Sequence, residues 1–161
     1  MIYGPAVMNA EVLVSASGDF EAAETVGIGQ NRKEEIRIAK EAWPGVLEYR
    51  EITQRALLYS LQKGEIDAAV EDITKAAAVP ELPAVPLSGQ EYVSYVLVAD
   101  REFAGTEAFA DLIRAYNEAV EKLNDSALLA ERLGVDASWM EGKKIRFLRL
   151  KEPGDRVCQS E

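Results

Sequence analysis

The chain contains no histidine. Imidazole is the one side chain that titrates near neutrality without help, so a histidine-based triad, a histidine zinc site and a near-neutral proton shuttle are all excluded. Cysteine is nearly absent as well. Cys158 stands alone near the C-terminus, which rules out an internal disulfide framework. With no histidine to activate it, a thiol in a polar tail is expected to be inert. Long apolar runs are missing too: the longest, such as residues 95–99, fall far short of the roughly 20 needed to span a bilayer. The opening MIYGPAVMNAE has neither the basic nor the apolar region of a secretory signal, so a cytoplasmic location without membrane contact is expected.

Positive charge is scarce. Lysine and arginine number 18 against 28 aspartates and glutamates, a net charge of −10. A duplex-binding surface needs clustered cations to displace counterions, so direct nucleic-acid binding is not expected. Residues 140–156 depart locally, with six basic residues against three acidic; a solvated strand edge guarded by charge accounts for them.

What the chain does contain is enough for a core. Hydrophobic residues make up 48% of its 161 positions, and a domain of this length buries roughly 68–70% of its unfolded surface. Residues 10–16 (AEVLVSA) read as a strand, and residues 25–29 (TVGIG) as a short buried one. From 33 to 43 the period becomes helical, with Ile36, Ala39 and Trp43 on one stripe until Pro44-Gly45 stops it. Trp43 is read as core. Residues 46–52 alternate with neither side wholly apolar, which suggests a strand near a sheet edge.

A second helix is expected over 54–63, with Thr53 as N-cap and Gly64 in the left-handed C′ position. A strand at 66–71 follows, in which Asp67 closes the turn or pairs with the neighbouring helix. Strand, helix, strand, helix, strand in sequence means a parallel sheet with crossover helices.

Three prolines spaced by three in residues 79–86 (VPELPAVP) imply an extended connector outside any ladder. Residues 91–99 (EYVSYVLVA) are apolar on both faces, as in a central strand. The longest helix spans 106–123, with Phe109, Leu112, Ile113, Tyr116, Val120 and Leu123 as its stripe. A short helix over 127–133 ends at Gly134, and residues 144–150 form a terminal strand. Trp139 has no evident role.

Ligands in open parallel sheets sit beyond the carboxyl ends of the strands, which singles out three turns. After the strand ending at Gly29 come Gln30, Asn31 and Arg32 at a helix start. Free backbone N–H groups there favour an anion by about 0.3–1 kcal/mol, and Arg32 can add a bidentate contact. Thr53 and Gln54 occupy the second turn; Glu71, Asp72 and Thr74 the third. Each has a plainer reading: Thr53 as a cap, the 30–32 turn as merely solvated. Glu71 and Asp72 are adjacent, so along a strand they point to opposite faces, a poor geometry for paired acid/base work. Gly27-x-Gly29 lacks the third glycine of a dinucleotide fingerprint, since Arg32 stands there. No metal, cofactor or catalytic set is expected.

The stretch QRALLYSLQKGEIDAAVED resembles the leucine-rich helix and Gly-x-Ile-Asp-Ala strand of type II solute-binding proteins and LysR-type effector domains. YGP near the start, VGIGQNRKEE, and LPAVPLSGQEYVSYVLVADRE before the long helix extend the likeness. The ordered set, over residues 3–134, resembles the C-terminal domain of the YhfZ family of transcription regulators. That resemblance implies an α/β fold, the second lobe of a type II periplasmic-binding-protein-like fold, with a central mostly parallel sheet, flanking helices and crossing strands. Residues 1–138 would be the ligand-binding-like domain: crossing strands near 10–16 and 91–99, a lobe-two core at 25–78, and C-terminal helices at 106–134. Residues 139–161 would be a basic strand and polar tail.

The chain departs from the family in having about nine residues before the first crossing strand, so most of lobe one and any helix-turn-helix would be missing from it, as in a fragment or in a natural half whose missing surface comes from another chain. The stripe of the long helix would then need a new partner, which favours a homodimer. The function implied is non-enzymatic sensing of a small polar or anionic metabolite. The alternatives are a homo-oligomerisation module with a degenerate cleft, or an enzyme on the same fold.

Overall fold

The structure, a computed structural model, describes residues 1–154; Cys158 and the last basic residue, Arg156, lie outside the described residues. Two sheets carry the architecture. The larger has five strands: β2 (Glu11–Ser15), β3 (Thr25–Gly29), β4 (Glu48–Ile52), β5 (Ala68–Asp72) and β6 (Ala84–Pro86), ordered β4-β3-β5-β2-β6. β3 pairs in parallel with both β4 and β5, Val26 lying opposite Tyr49 on one side and Ala68 on the other. The expected alternation is the reason: α1 (Lys33–Ala42) connects β3 to β4, and α2 (Leu57–Gln62), preceded by one 3-10 turn, connects β4 to β5. Helical crossovers return the chain in the same direction. β2 then lines β5 antiparallel, Glu11 opposite Asp72, and β6 closes the edge against β2.

Helices cover both faces of this sheet, so its inner strands are apolar on both sides. Leu13, Val26, Ile28 and Val70 pack toward α1 with Ile38 and Ala39. Val12, Val14 and Ala69 pack toward α2 with Leu57, Leu61 and Ile66. Alternate residues of one strand thus serve two cores, as a period of two requires. Trp43 borders the first, its indole N–H donating to the Leu87 carbonyl at 2.8 Å. Local signals hold at the turns: Gly64 has φ +72°, and Asp67 Oδ2 accepts from the N–H groups of Glu24 (3.0 Å) and Thr25 (2.8 Å), closing the turn into β3.

The smaller sheet has three strands, with β1 (Ile2–Met8) between β7 (Val93–Val98) and β8 (Arg146–Phe147), both antiparallel to it. α4 (Glu107–Leu123) lies against it: Phe109 and Ile113 are buried with Ala99 and Leu150, among Tyr3, Ala6 and Leu97. α3 (Ile73–Ala76), α5 (Ser126–Leu133) and Met140 form a further cluster in which Ile73, Leu129 and Ala130 are buried. Trp139 borders two of these clusters and stacks under the Lys143 ammonium, 4.1 Å from the ring centre.

The chain crosses between the sheets twice, and Asn9 joins the crossings. Its φ is +52°, a conformation asparagine tolerates better than most residues. Its backbone N–H donates to the Tyr92 carbonyl (3.2 Å), its side-chain amide donates to the Gln90 carbonyl (2.8 Å), and its Oδ1 accepts from the Tyr92 N–H (3.3 Å).

Four expectations fail, each for a physical reason. The proline-spaced connector is not outside all ladders: Ala84–Pro86 pairs with β2 as an edge strand, the one place where a missing donor is tolerated. The apolar segment 91–99 is not central, because β7 has only β1 beside it among the described strands, leaving Val98 63% exposed. Thr53 makes no side-chain cap hydrogen bond; its carbonyl accepts from Ala56 N–H at 2.8 Å instead. The α4 stripe needs no second molecule, since Phe109, Ile113 and Val120 are already buried and only Leu112, at 48%, faces outward substantially.

Candidate functional site

The strand order puts the carboxyl ends of β3, β4 and β5 at one rim, and a cavity of about 350 Å³ opens there. Gly29 ends β3 at its wall, and Arg32 follows at the start of α1. Gln54 enters from the turn after β4, Glu71 and Asp72 from the end of β5, and Thr74 from the start of α3. Five of the eight residues singled out in the sequence therefore meet: Arg32, Gln54, Glu71, Asp72 and Thr74. Gln30, Asn31 and Thr53 do not line the cavity. Asn31 turns the chain at φ +62°, its backbone N–H donating to Glu51 Oε1 at 3.1 Å.

Glu11, Glu35, Lys75 and Tyr95 line the cavity and were not anticipated. Glu11 carried a usable signal, a lone acid leading the otherwise apolar run VLV of β2. Tyr95 carried none, because it comes from β7 of the other sheet and reaches the rim only through the second crossing.

Arg32 stands where an N-cap would, and α1 has no side-chain cap. Its guanidinium pairs with Glu35 Oε1 at 2.9 Å, which holds its pKa above the ordinary value. Asp72 is fully engaged: Oδ1 accepts from the Thr74 N–H (2.8 Å) and hydroxyl (2.5 Å), and Oδ2 from the Tyr95 hydroxyl (2.6 Å). Burial, then that bond, pushes the Tyr95 phenol up.

Two carboxyls lie deeper. Glu71 is 1% exposed, and its Oε2 accepts from Gln54 Nε2 at 2.7 Å. Glu11 is 5% exposed; its Oε2 accepts from the Ser94 hydroxyl at 2.6 Å, and its Oε1 is closed to solvent. The buried Tyr92 hydroxyl stands at the same carboxylate and can serve as its second donor. Desolvation raises the pKa of both glutamates: Ser94 and Tyr92 partly offset it at Glu11, Lys75 and Gln54 at Glu71. Around the cavity, four carboxylates (Glu11, Glu35, Glu71, Asp72) face two cations (Arg32, Lys75). Among the described residues no group of acids or cysteines is arranged to hold a metal, and no helix is long and apolar enough to cross a membrane. The arrangement offers directional polar contacts within a partly apolar wall that includes Ile28 and Val70, the composition of small-molecule sites.

No known protein family matches this sequence, and no curated protein resembles it. Solved structures do. Tv2483 bound to L-arginine is 15% identical over 85% of this chain and 60% of its own, with a TM-score of 0.49. A mutant of ArgBP from T. maritima is 20% identical over 81% of this chain and 60% of its own, TM-score 0.44. The periplasmic aliphatic sulphonate binding protein SsuA from Escherichia coli is 17% identical over 90% of this chain and 60% of its own, TM-score 0.51. The chain thus spans about 60% of the length of the structures it matches. At such identities a likeness speaks to architecture alone, and the match to the sulphonate binding protein, together with the sheet order, gives the chain a periplasmic-binding-protein-like α/β fold.

Proposed function

We propose that this chain is a non-enzymatic domain that binds a small polar or anionic metabolite at the rim of β3, β4 and β5, and that it serves as the effector-sensing part of a cytoplasmic transcription regulator of YhfZ-like type. One observation carries the reading: residues from three separate turns, Arg32, Gln54, Glu71, Asp72 and Thr74, converge on a single cavity. The fold shared with the sulphonate-binding protein supports it. Nothing in the cavity pairs a nucleophile with a base, which favours binding over catalysis.

Differential scanning fluorimetry against a metabolite panel tests it. A ligand at 100 times its dissociation constant stabilises by about 2.7 kcal/mol, or about 5–10 °C for a chain of this size. Arg32 is 44% exposed and its pair with Glu35 is a surface ion pair, worth under about 1 kcal/mol. Arg32→Ala should therefore move the unliganded melting point by no more than about 2–3 °C while reducing the shift from an anionic ligand. A flat response to every compound would overturn the reading.

A second reading, a homo-oligomerisation module, draws on the apolar edge of β7, where Val93, Val96 and Val98 are exposed. Light scattering after size exclusion separates the two: a dimer that ignores every metabolite favours the module.

A further inference from the structure

Each sheet ends in two edge strands, and an edge offers unpaired backbone N–H and C=O groups to any further strand. Three of the four edges are guarded. β4 reads EYREI, with Glu48, Arg50 and Glu51 among its five residues. β6 is three residues long and ends in Pro86, and β8 is two residues long with Arg146 as one of them. Charge, proline and shortness are the devices by which edges avoid pairing. β7 has none of them. Its six residues, VSYVLV, include no charge and no proline, although the chain as a whole has a net charge of −10.

The pattern of exposure along β7 says which strand fits. Val93, Tyr95, Val96 and Val98 are exposed, while Ser94 and Leu97 are half-buried, an order that reads the same from either end. A two-fold contact needs a surface that is its own complement, and this strand is one. With the axis between Tyr95 and Val96, Val93 meets Val98 of a second copy, Tyr95 meets Val96, and Ser94 meets Leu97. Exposed residues thus face only exposed residues, in valine–valine and tyrosine–valine pairs that antiparallel strands favour. Charge points the same way. Net charge of one sign keeps copies apart, and at an uncharged strand two acidic chains approach without setting like charges opposite each other. We infer that β7 pairs antiparallel with β7 of a second copy across this axis, joining two three-stranded sheets into one of six strands. The pairing goes beyond the metabolite-binding function and stands or falls apart from it. Four exposed side chains from each copy make a small interface, of the class that gives weak, concentration-dependent dimers.

Sedimentation velocity on the full chain, from about 1 µM to about 300 µM, tests the pairing. The average mass should rise from one chain toward two across that range. Val96→Lys and Val98→Glu put charges of opposite sign at exposed positions of the strand, and each should weaken the dimer at least about tenfold. Using both separates an effect at the edge from an effect of overall charge, and guards against one variant misfolding, which circular dichroism would reveal. Leu112→Lys, on the outward face of α4, is the control and should leave the mass curve unchanged. For the register, Val93→Cys and Val98→Cys chains, each also Cys158→Ser, are mixed and oxidised; the mixed disulfide dimer should form in preference to either like pair. A single-chain mass at the highest concentration overturns the inference. So does a dimer that survives both β7 variants, one that Leu112→Lys dissolves, or a preference for like disulfide pairs.

Discussion

Replacing Gly29 with alanine would place a methyl group on the Gln54 side-chain oxygen, with Gln54 Cδ at 3.4 Å and Arg32 Cγ at 3.3 Å. The amide of Gln54 must then move, and it is not free to do so without consequence. Its Nε2 is the donor to Glu71 Oε2 at 2.7 Å, and Glu71 is 1% exposed, so water does not readily replace it. Losing a hydrogen bond to a buried charged group costs about 1.5–3 kcal/mol. Alanine recovers about 0.4–1 kcal/mol by restricting the unfolded chain, leaving a net loss of about 1–2 kcal/mol. The decisive experiment is a double-mutant cycle with Gln54→Ala, read by urea unfolding through the fluorescence of Trp43 and Trp139. In the Gln54→Ala background the added methyl has only Arg32 Cγ to push, a flexible neighbour, and should cost under about 0.5 kcal/mol, giving a coupling of about 1–2 kcal/mol. Equal costs in the two backgrounds would refute the reasoning, because the loss would then come from the backbone of β3 and not from the Gln54–Glu71 bond.

Asn117, 2% exposed on α4, donates to the Leu150 carbonyl and accepts from the Leu150 N–H, both at 2.8 Å. Asn117→Ala orphans two buried backbone groups and should cost about 2–4 kcal/mol, read as a lower urea midpoint. The pH dependence follows from Glu11 and Glu71, whose pKa values burial raises above the ordinary 4.5. Between 4.5 and the raised values the folded state binds more protons than the unfolded one, so their contribution is full below pH 4.5 and is lost as pH rises through the folded values. Urea midpoints should fall across that window, and Glu11→Gln should flatten the fall; an unchanged slope in that variant would place the titration elsewhere. Asp100, held low by the backbone N–H groups of Glu102 and Phe103, acts in the opposite sense and below its ordinary 3.8, outside the window.

Local signals carried the larger sheet. The change from period two to a helical period and back, the stop at Pro44-Gly45 and the positive φ at Gly64 are all set within a few residues, so the parallel core of β3, β4 and β5 was legible, and with it the rim where five of eight named residues meet. What escaped depends on distant partners. β1 contains Gly4 and Pro5, which depress any strand reading, and it forms because residues 93–98 and 146–147 lie on its two sides. The apolarity of β7 suggested a central position, yet how much of a strand is covered depends on what lies beside it, which the strand's own residues do not state. Pro86 was legible as extended but not as paired, because its partner Val12 is 74 residues away.

The same distinction explains Glu11. Its neighbours Val12, Leu13 and Val14 are buried and apolar, and valine or threonine at position 11 would fill a buried strand position without desolvating a charge. Burying a carboxyl there works against folding, and desolvation raises its pKa accordingly. Packing and β-propensity do not account for it, and departures from local rules of this kind gather at functional positions. Glu11 also sits immediately after the first crossing, bonded to Ser94 of β7, while Tyr95 of the same strand is bonded to Asp72 of β5. The cavity wall therefore belongs to both sheets. On the proposed reading, a ligand bound in this cavity meets residues of both sheets and strengthens the junction between them, and a change in the relative set of the two sheets is the physical form that sensing would take.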